Sequence, residues 1–242
     1  GGQGRPVRAR RLERGERLLL AGGTLECDRA RRAIGFVIDG GATPAQAGAF
    51  LGALALRGVT CDEIVGFAQA LRERCVKVGV QRAPLLDACG SGAPCVLNIS
   101  TAAAFIVAGA GVAVAKQVSH PVLGLCGSAD VLEALGVKAE LDAETAGRCV
   151  EEAGLGFFHS EVFHPALKNV LPVRRELGAR TVFDLLEPLA NPAGARCQLL
   201  GVYATALVPV LVRALKALGS ESAMVVASRD GVVYFSDQTA NA

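Results

Sequence analysis

"LLDACGSGAPCVLNISTAAAFIVAGAGVAVAK", Leu85 to Lys116, decides the fold. Its first segment, "LLDAC", is short and apolar and reads as a buried strand; Asn98 to Ala110 reads as a helix, and "VAVAK" as a second strand. Two strands joined by a helix pair in parallel, because a parallel pair needs a long crossover and cannot be closed by a hairpin. The glycine turn between the first strand and the helix is the arrangement that holds phosphate in many enzymes. Free N–H groups and the dipole at a helix start both favour an anion.

The alternation continues downstream. Ser128 to Leu135 is expected as a helix capped by Ser128 and ended by Gly136, and Asp142 caps another that ends near Gly154. "GLGFFHS" is strand-like. "CQLLGVY", a helix over Ala206 to Leu218 stopped by Gly219, and "AMVVAS" repeat the theme. Upstream the pattern is purely helical. Asp28 is expected to cap "RARRAIGFVID", and Thr43-Pro44-Ala45-Gln46 and Thr60-Cys61-Asp62-Glu63 are capping boxes. The expected fold class is therefore α/β: a small N-terminal helical domain joined to a larger α/β domain with a mainly parallel central sheet. Residues 1–22 are expected as a basic tail or linker, 23–82 as the helical domain, and 83–162 with 191–242 as the α/β domain. The stretch 163–190, punctuated by Pro165, Pro172 and Pro188, is expected to return to the helical domain.

Composition bounds the function. With 242 residues, 51% hydrophobic, 20% charged and a net charge of +2, the chain can bury a real core and carries no global field for nucleic acid or membrane. The exception is the first twenty residues, where Arg5, Arg8, Arg10, Arg11, Arg14 and Arg17 face only Glu13 and Glu16. Without interleaved aromatics this reads as a solvated tail first and a nucleic-acid arm second. The Gly-Gly start without Met fits a fragment or processed chain. The longest apolar run, Thr101 to Ala115, is too short to span a bilayer and is expected as a buried helix passing into a strand. Eight cysteines without a Cys-x-x-Cys pair, and three histidines, suggest neither a zinc motif nor a disulfide scaffold. They are expected as reduced, mostly buried thiols in a cytoplasm.

The blocks "GGATPAQAGAFLGALALRGVTCDEIVGFAQALRERC", "NIST", "GSADVLEALGV", "HPALKNVLPVRRELGARTVF" and "PLANP", in that order, resemble the anthranilate phosphoribosyltransferase family, of the glycosyltransferase family 3 and nucleoside phosphorylase class II group. The likeness runs from about Leu25 to Gly231, and the family's C-terminal portion of several tens of residues has no counterpart. The resemblance implies a helical domain hinged to an α/β domain, a homodimer through the helical domains, and a reaction. In it, the amine of anthranilate, in tryptophan biosynthesis, displaces pyrophosphate from phosphoribosyl pyrophosphate with magnesium. Such a reaction needs positioning and charge stabilisation and no covalent nucleophile.

Carried onto this sequence, the resemblance implies substrate-binding roles for Gly90 and Gly92 in the first loop, Asn98, Ser100 and Thr101 of "NIST", Lys116, His164 and Arg174. The last meets the acceptor's carboxylate in the family. Donor and metal positions depart from the family pattern. Pro94 has no N–H to donate, Leu123 and Leu125 replace polar ligands, and Val233 and Tyr234 stand where the family carries its magnesium-binding Asp-Glu, with Asp230 and Asp237 nearby. Asp184 and Glu187 replace the usual Asn and Gly, and His120 is read as a loop residue packed on Pro121. No catalytic residue, metal ligand or cofactor is assigned. The expected function is a family member with lost or altered pentosyl transfer, a pseudoenzyme binding a small anionic ligand such as a phosphosugar or aromatic acid. The alternatives are an active transferase and a nucleic-acid-binding paralogue. If the cleft is retired, Arg174 is expected to pair with Glu176 or Glu187.

Overall fold

The computed structural model describes residues 18, 19, 21–90, 98–122 and 126–227. Three helices open it: α1 (Cys27–Ile38), α2 (Pro44–Arg57) and α3 (Cys61–Arg74). Both capping boxes form. Thr43 accepts from the Gln46 N–H and Thr60 from that of Glu63, while each N3 side chain answers the cap's own N–H. Asp28 does not cap α1; the N-cap is Glu26, without a side-chain bond, and Asp28 lies in the first turn, where it still complements the helix dipole. The α1–α3 crossing is close at Gly66, where an added Cβ would collide with the Cys27 carbonyl. Buried Glu63 is tolerated here because it accepts from the N–H groups of Leu25 and Thr60, both at 2.9 Å, and pairs with Arg57 at 2.6 Å.

Five parallel strands follow: β1 (Leu85–Gly90), β2 (Ala113–Val118), β3 (Leu155–His159), β4 (Cys197–Val202) and β5 (Ser222–Ala227), in the order β3-β2-β1-β4-β5. The order reverses between β1 and β4. In open parallel sheets ligands bind at the carboxyl ends of the strands beside such a reversal, so the fold itself directs attention to Gly90. The connecting helices are α4 (Ile99–Gly109), α5 (Ser128–Ala134), α6 (Ala143–Ala153), α7 (Ser160–Phe163), α8 (Leu171–Leu177), α9 (Phe183–Leu186) and α10 (Val208–Ala217). Asp142 caps α6 through the Thr145 N–H at 2.8 Å, and Gly154 ends it at φ 76°, as its sequence position requires.

Three expectations are corrected. Helix α4 is not buried: only Thr101 and Ala104 are inside, while Ile99, Phe105 and Ile106 are exposed, because the helix covers the sheet with one narrow face. Ser128 does not cap α5; Gly127 is the N-cap, Asp130 accepts its N–H, and the Ser128 hydroxyl accepts from the Ser119 N–H at 3.1 Å. Of the seven described cysteines, all free, only Cys75 is buried, since most sit at element ends; Cys95 lies outside the described residues.

Between β3 and β4 the proline-rich stretch turns back to the helices. Leu167, Val170, Val173, Phe183, Leu186 and Leu189 share one core with Phe50, Leu51, Ile64 and Phe67. This places residues 164–191 between helices and sheet, where the candidate site lies. No described helix is long and apolar enough to cross a membrane.

Candidate functional site

Strand β2 is buried along its whole length, so its successive side chains enter two different interiors. Lys116 turns towards α4. Its ammonium, 2% exposed as a residue, donates to the Ala88 carbonyl at 2.5 Å and to Ser100 Oγ at 3.1 Å. Two of the sequence-predicted residues thus meet directly, but the lysine is spent on the end of β1 and the start of α4. Asn98 is the N-cap of α4 and makes no side-chain capping bond. Thr101 Oγ1 is buried without a partner among the described residues. Gly90 ends β1 opposite Gly201, with nothing among the described residues within 4 Å of where a Cβ would stand. Gly92, Pro94, Leu123, Leu125, Asp230, Val233, Tyr234 and Asp237 lie outside the described residues. A Val–Tyr pair supplies no carboxylate and does not fit magnesium.

Gln117 turns the other way and organises a buried polar chain. Its amide N–H groups donate to Asp87 Oδ2 at 3.3 Å and to the Glu187 carbonyl at 2.8 Å. Its Oε1 is left to accept from His164 Nε2 at 3.0 Å, which sets the histidine tautomer and leaves buried Nδ1 without a partner among the described residues. Burial first, and the Lys77 charge second, push the His164 pKa down to about 4, so the ring is neutral at pH 7. Asp87, also buried, accepts from Asn191 Nδ2 at 2.8 Å and from Cys89 Sγ at 3.1 Å. Burial raises its pKa, opposed by the Asn191 hydrogen bond and the Lys116 charge. Asn191 is secured in turn by donating to the Ala115 carbonyl at 2.8 Å and accepting from the Ala193 N–H at 2.9 Å.

Arg174 ends the chain. It is 4% exposed and lies in α8, with one guanidinium nitrogen 2.6 Å from Glu187 Oε1 and another 2.9 Å from Asp184 Oδ1. Phe183 lies beneath it at 5.5 Å from the ring centre. Ser160 Oγ donates to the second oxygen of Glu187 at 3.0 Å, and the Thr181 N–H to that of Asp184 at 2.7 Å. Both acids are thereby fixed. The expected partner Glu176 is corrected to Asp184, while Glu187 pairs as expected; one turn of helix separates Asp184 from Glu187 and aims both at the same fork. His120 is a loop residue, as expected, and the turn after β2 brings it over the end of β3, where it lies 2.6 Å from Asp130 and meets the His159 ring edge-on.

Arg174, His164, Lys116 and Ser100 thus fall at the strand ends and the helix return, but each faces a protein partner. Of the residues that the sequence did not single out, Gln117 joins His164 to the Glu187 carbonyl, and Asp87 and Asn191 hold Gln117 in place. The signal was a buried-strand position held by a polar residue: Asp87 alone in β1, and Gln117 beside Lys116 in β2. A cavity of 310 Å³ lined by Lys77, Val78, Gly147, Arg148 and Glu151 contains none of the predicted site residues.

A helical unit beside a parallel sheet with a polar cluster at the strand ends does not by itself define an activity, and comparison with known proteins gives the family. Residues 17–75 match the glycosyl transferase family, helical bundle domain, and residues 82–241 the glycosyl transferase family, a/b domain. An anthranilate phosphoribosyltransferase of Anaeromyxobacter dehalogenans is 53% identical over 210 residues, 86% of this chain and 62% of the relative. One of Rubrobacter xylanophilus is 49% identical over 216 residues, 88% of this chain and 62% of the relative. The crystal structure of anthranilate phosphoribosyltransferase from Thermus thermophilus superposes with a TM-score of 0.83 at 42% identity, covering 88% of this chain and 65% of that one. The chain belongs to the anthranilate phosphoribosyltransferase family. It spans about three-fifths of the length of these curated relatives.

Proposed function

We propose that the chain is an anthranilate phosphoribosyltransferase framework in which pentosyl transfer to an anionic aromatic acid is altered or lost. The observation that carries this reading is the double ion pair of Arg174 with Asp184 and Glu187. A carboxylate acceptor that needs the guanidinium must displace two carboxylates already fixed by Ser160 and Thr181. The locked amine of Lys116 supports the same reading, since it leaves one fewer free cation for a phosphosugar. A small anionic ligand at the start of α4, a homodimer and a reducing cytoplasmic setting for the seven free thiols complete the proposal.

The second reading is an active transferase. About half of the aligned residues are shared with relatives named anthranilate phosphoribosyltransferase, which favours it. One experiment separates the two. Anthranilate fluorescence is followed with phosphoribosyl pyrophosphate and magnesium, for the native chain and for Asp184→Asn/Glu187→Gly. The proposal expects turnover by the native chain to be absent or well below that of a full-length relative, and anthranilate affinity at least about tenfold higher in the double variant, the scale of a charge-assisted hydrogen bond. Native turnover matching a full-length relative would establish the second reading.

A further inference from the structure

His159 ends β3 with a residue exposure of 1% and no hydrogen-bond partner on either ring nitrogen among the described residues. Buried imidazole nitrogens without partners are exceptions that call for an occupant. The surroundings provide for one. The parallel register sets Val118 beside His159, and the turn leaving β2 then carries His120 over the same strand end, with ring centres 5.2 Å apart at 63°. His120 Nδ1 lies 2.6 Å from Asp130 Oδ1, and Asp130 is itself held by the Gly127 N–H. A proton on Nδ1 shared with Asp130 leaves the ring's lone pair on Nε2, which lies 3.5 Å from Glu133. Ligand atoms of His120, His159 and Glu140 all lie within 4.8 Å of one another, and so do those of His120, Asp130 and Glu133.

We propose that His120, His159 and Glu140 bind one divalent transition-metal ion of the zinc class at the carboxyl ends of β2 and β3. Two imidazoles and a carboxylate are a zinc donor set, and three protein ligands leave a fourth position for water. Asp130 is the outer carboxylate that orients His120, the usual second partner of a metal-bound imidazole. Bonds of about 2 Å require the donors to draw together, and the exposed side chains of Glu140 and Glu133 can move to do so. The site is independent of Arg174 and Lys116, so it stands whether or not transfer activity survives. The three histidines show no metal spacing in sequence because His120 and His159 meet only through the β2–β3 register.

The test titrates the metal-stripped full chain with zinc chloride by calorimetry and repeats the titration with cobalt(II) by absorption. Expected is one ion per chain at micromolar affinity or tighter, with a cobalt spectrum free of thiolate charge-transfer bands. His159→Phe, which keeps an aromatic ring in the same space, and Glu140→Gln, at an exposed position, are each expected to weaken binding at least about tenfold. Circular dichroism checks that both variants fold, and Glu140→Gln carries the test if the other does not. No saturable binding, binding unchanged in the folded variants, or a thiolate-type cobalt spectrum would overturn the proposal.

Discussion

Arg174 and Glu187 face each other at 2.6 Å, with the arginine 4% exposed and Ser160 holding the carboxylate's second oxygen. A buried charge pair of this kind is sensitive to the loss of one partner, because the other is then left unpaired in a medium that solvates it poorly. Arg174→Ala is expected to destabilise the protein by about 3–5 kcal/mol, read from urea unfolding. Since Glu176 is not the partner, Glu176→Ala is expected to be close to neutral. Equal effects of the two variants would contradict the pairing.

His164 makes stability depend on pH. Its pKa is about 4 in the folded chain, against about 6.5 when unfolded, so between these values only the unfolded chain takes up the proton. The contribution is complete above pH 6.5 and is lost as pH falls towards 4, by about 3 kcal/mol in all. Asp87 acts in the opposite sense, because its raised carboxyl pKa favours the protonated folded form at low pH. Urea melts at pH 7.5, 5.5 and 4.5 for native protein and His164→Gln isolate the histidine. The variant should show a flatter slope across this window, and parallel curves would disprove the assignment.

At Gly66 the constraint is steric. With the Cys27 carbonyl in the way of a Cβ, and the Arg31 N and Ala30 Cβ also closer than carbon packs at 2.9 and 3.0 Å, α1 must shift to admit even one methyl group. Gly66→Ala is expected to cost about 1–3 kcal/mol, although alanine is the better helix former. Gly109→Ala, in the last turn of α4 with nothing among the described residues within 4 Å, is expected to be neutral or slightly stabilising. Thermal melts of the two variants give the comparison, and a stabilised Gly66→Ala would refute close packing at this crossing.

On α2 the exposed positions include Ala45, Ala49 and Leu56, the last 92% exposed, with small Gly52 between them. This face is the one on which the proposed homodimer would form. Light scattering at tens of micromolar should give a dimer, and Leu56→Glu should shift it to monomer without lowering the folded content. A native monomer at that concentration would refute the assembly.

Local physics was readable in the chain alone. The capping boxes at Thr43 and Thr60, the Asp142 cap and the glycine stop at 154 depend on residues within one turn of each other, and they form as the sequence implies. Strands β1 to β5 follow from short apolar runs between helices, and parallel pairing follows from the length of the crossovers. Five blocks in one order likewise placed the family. What the sequence left open was the destination of each polar side chain. Lys116 could have faced a ligand or the protein, and only the packing of α4 against β1 and β2 puts Ser100 and the Ala88 carbonyl on its ammonium. Asp184 and Glu187 are a carboxylate pair in any reading, but the fork of Arg174 enters between them because residues 164–191 fold back over the strand ends. His120 and His159 are remote in sequence and become neighbours through the register of β2 with β3. Helix and turn signals act over a few residues and survive in one dimension; charge pairing and burial act through space, and only the tertiary structure decides them.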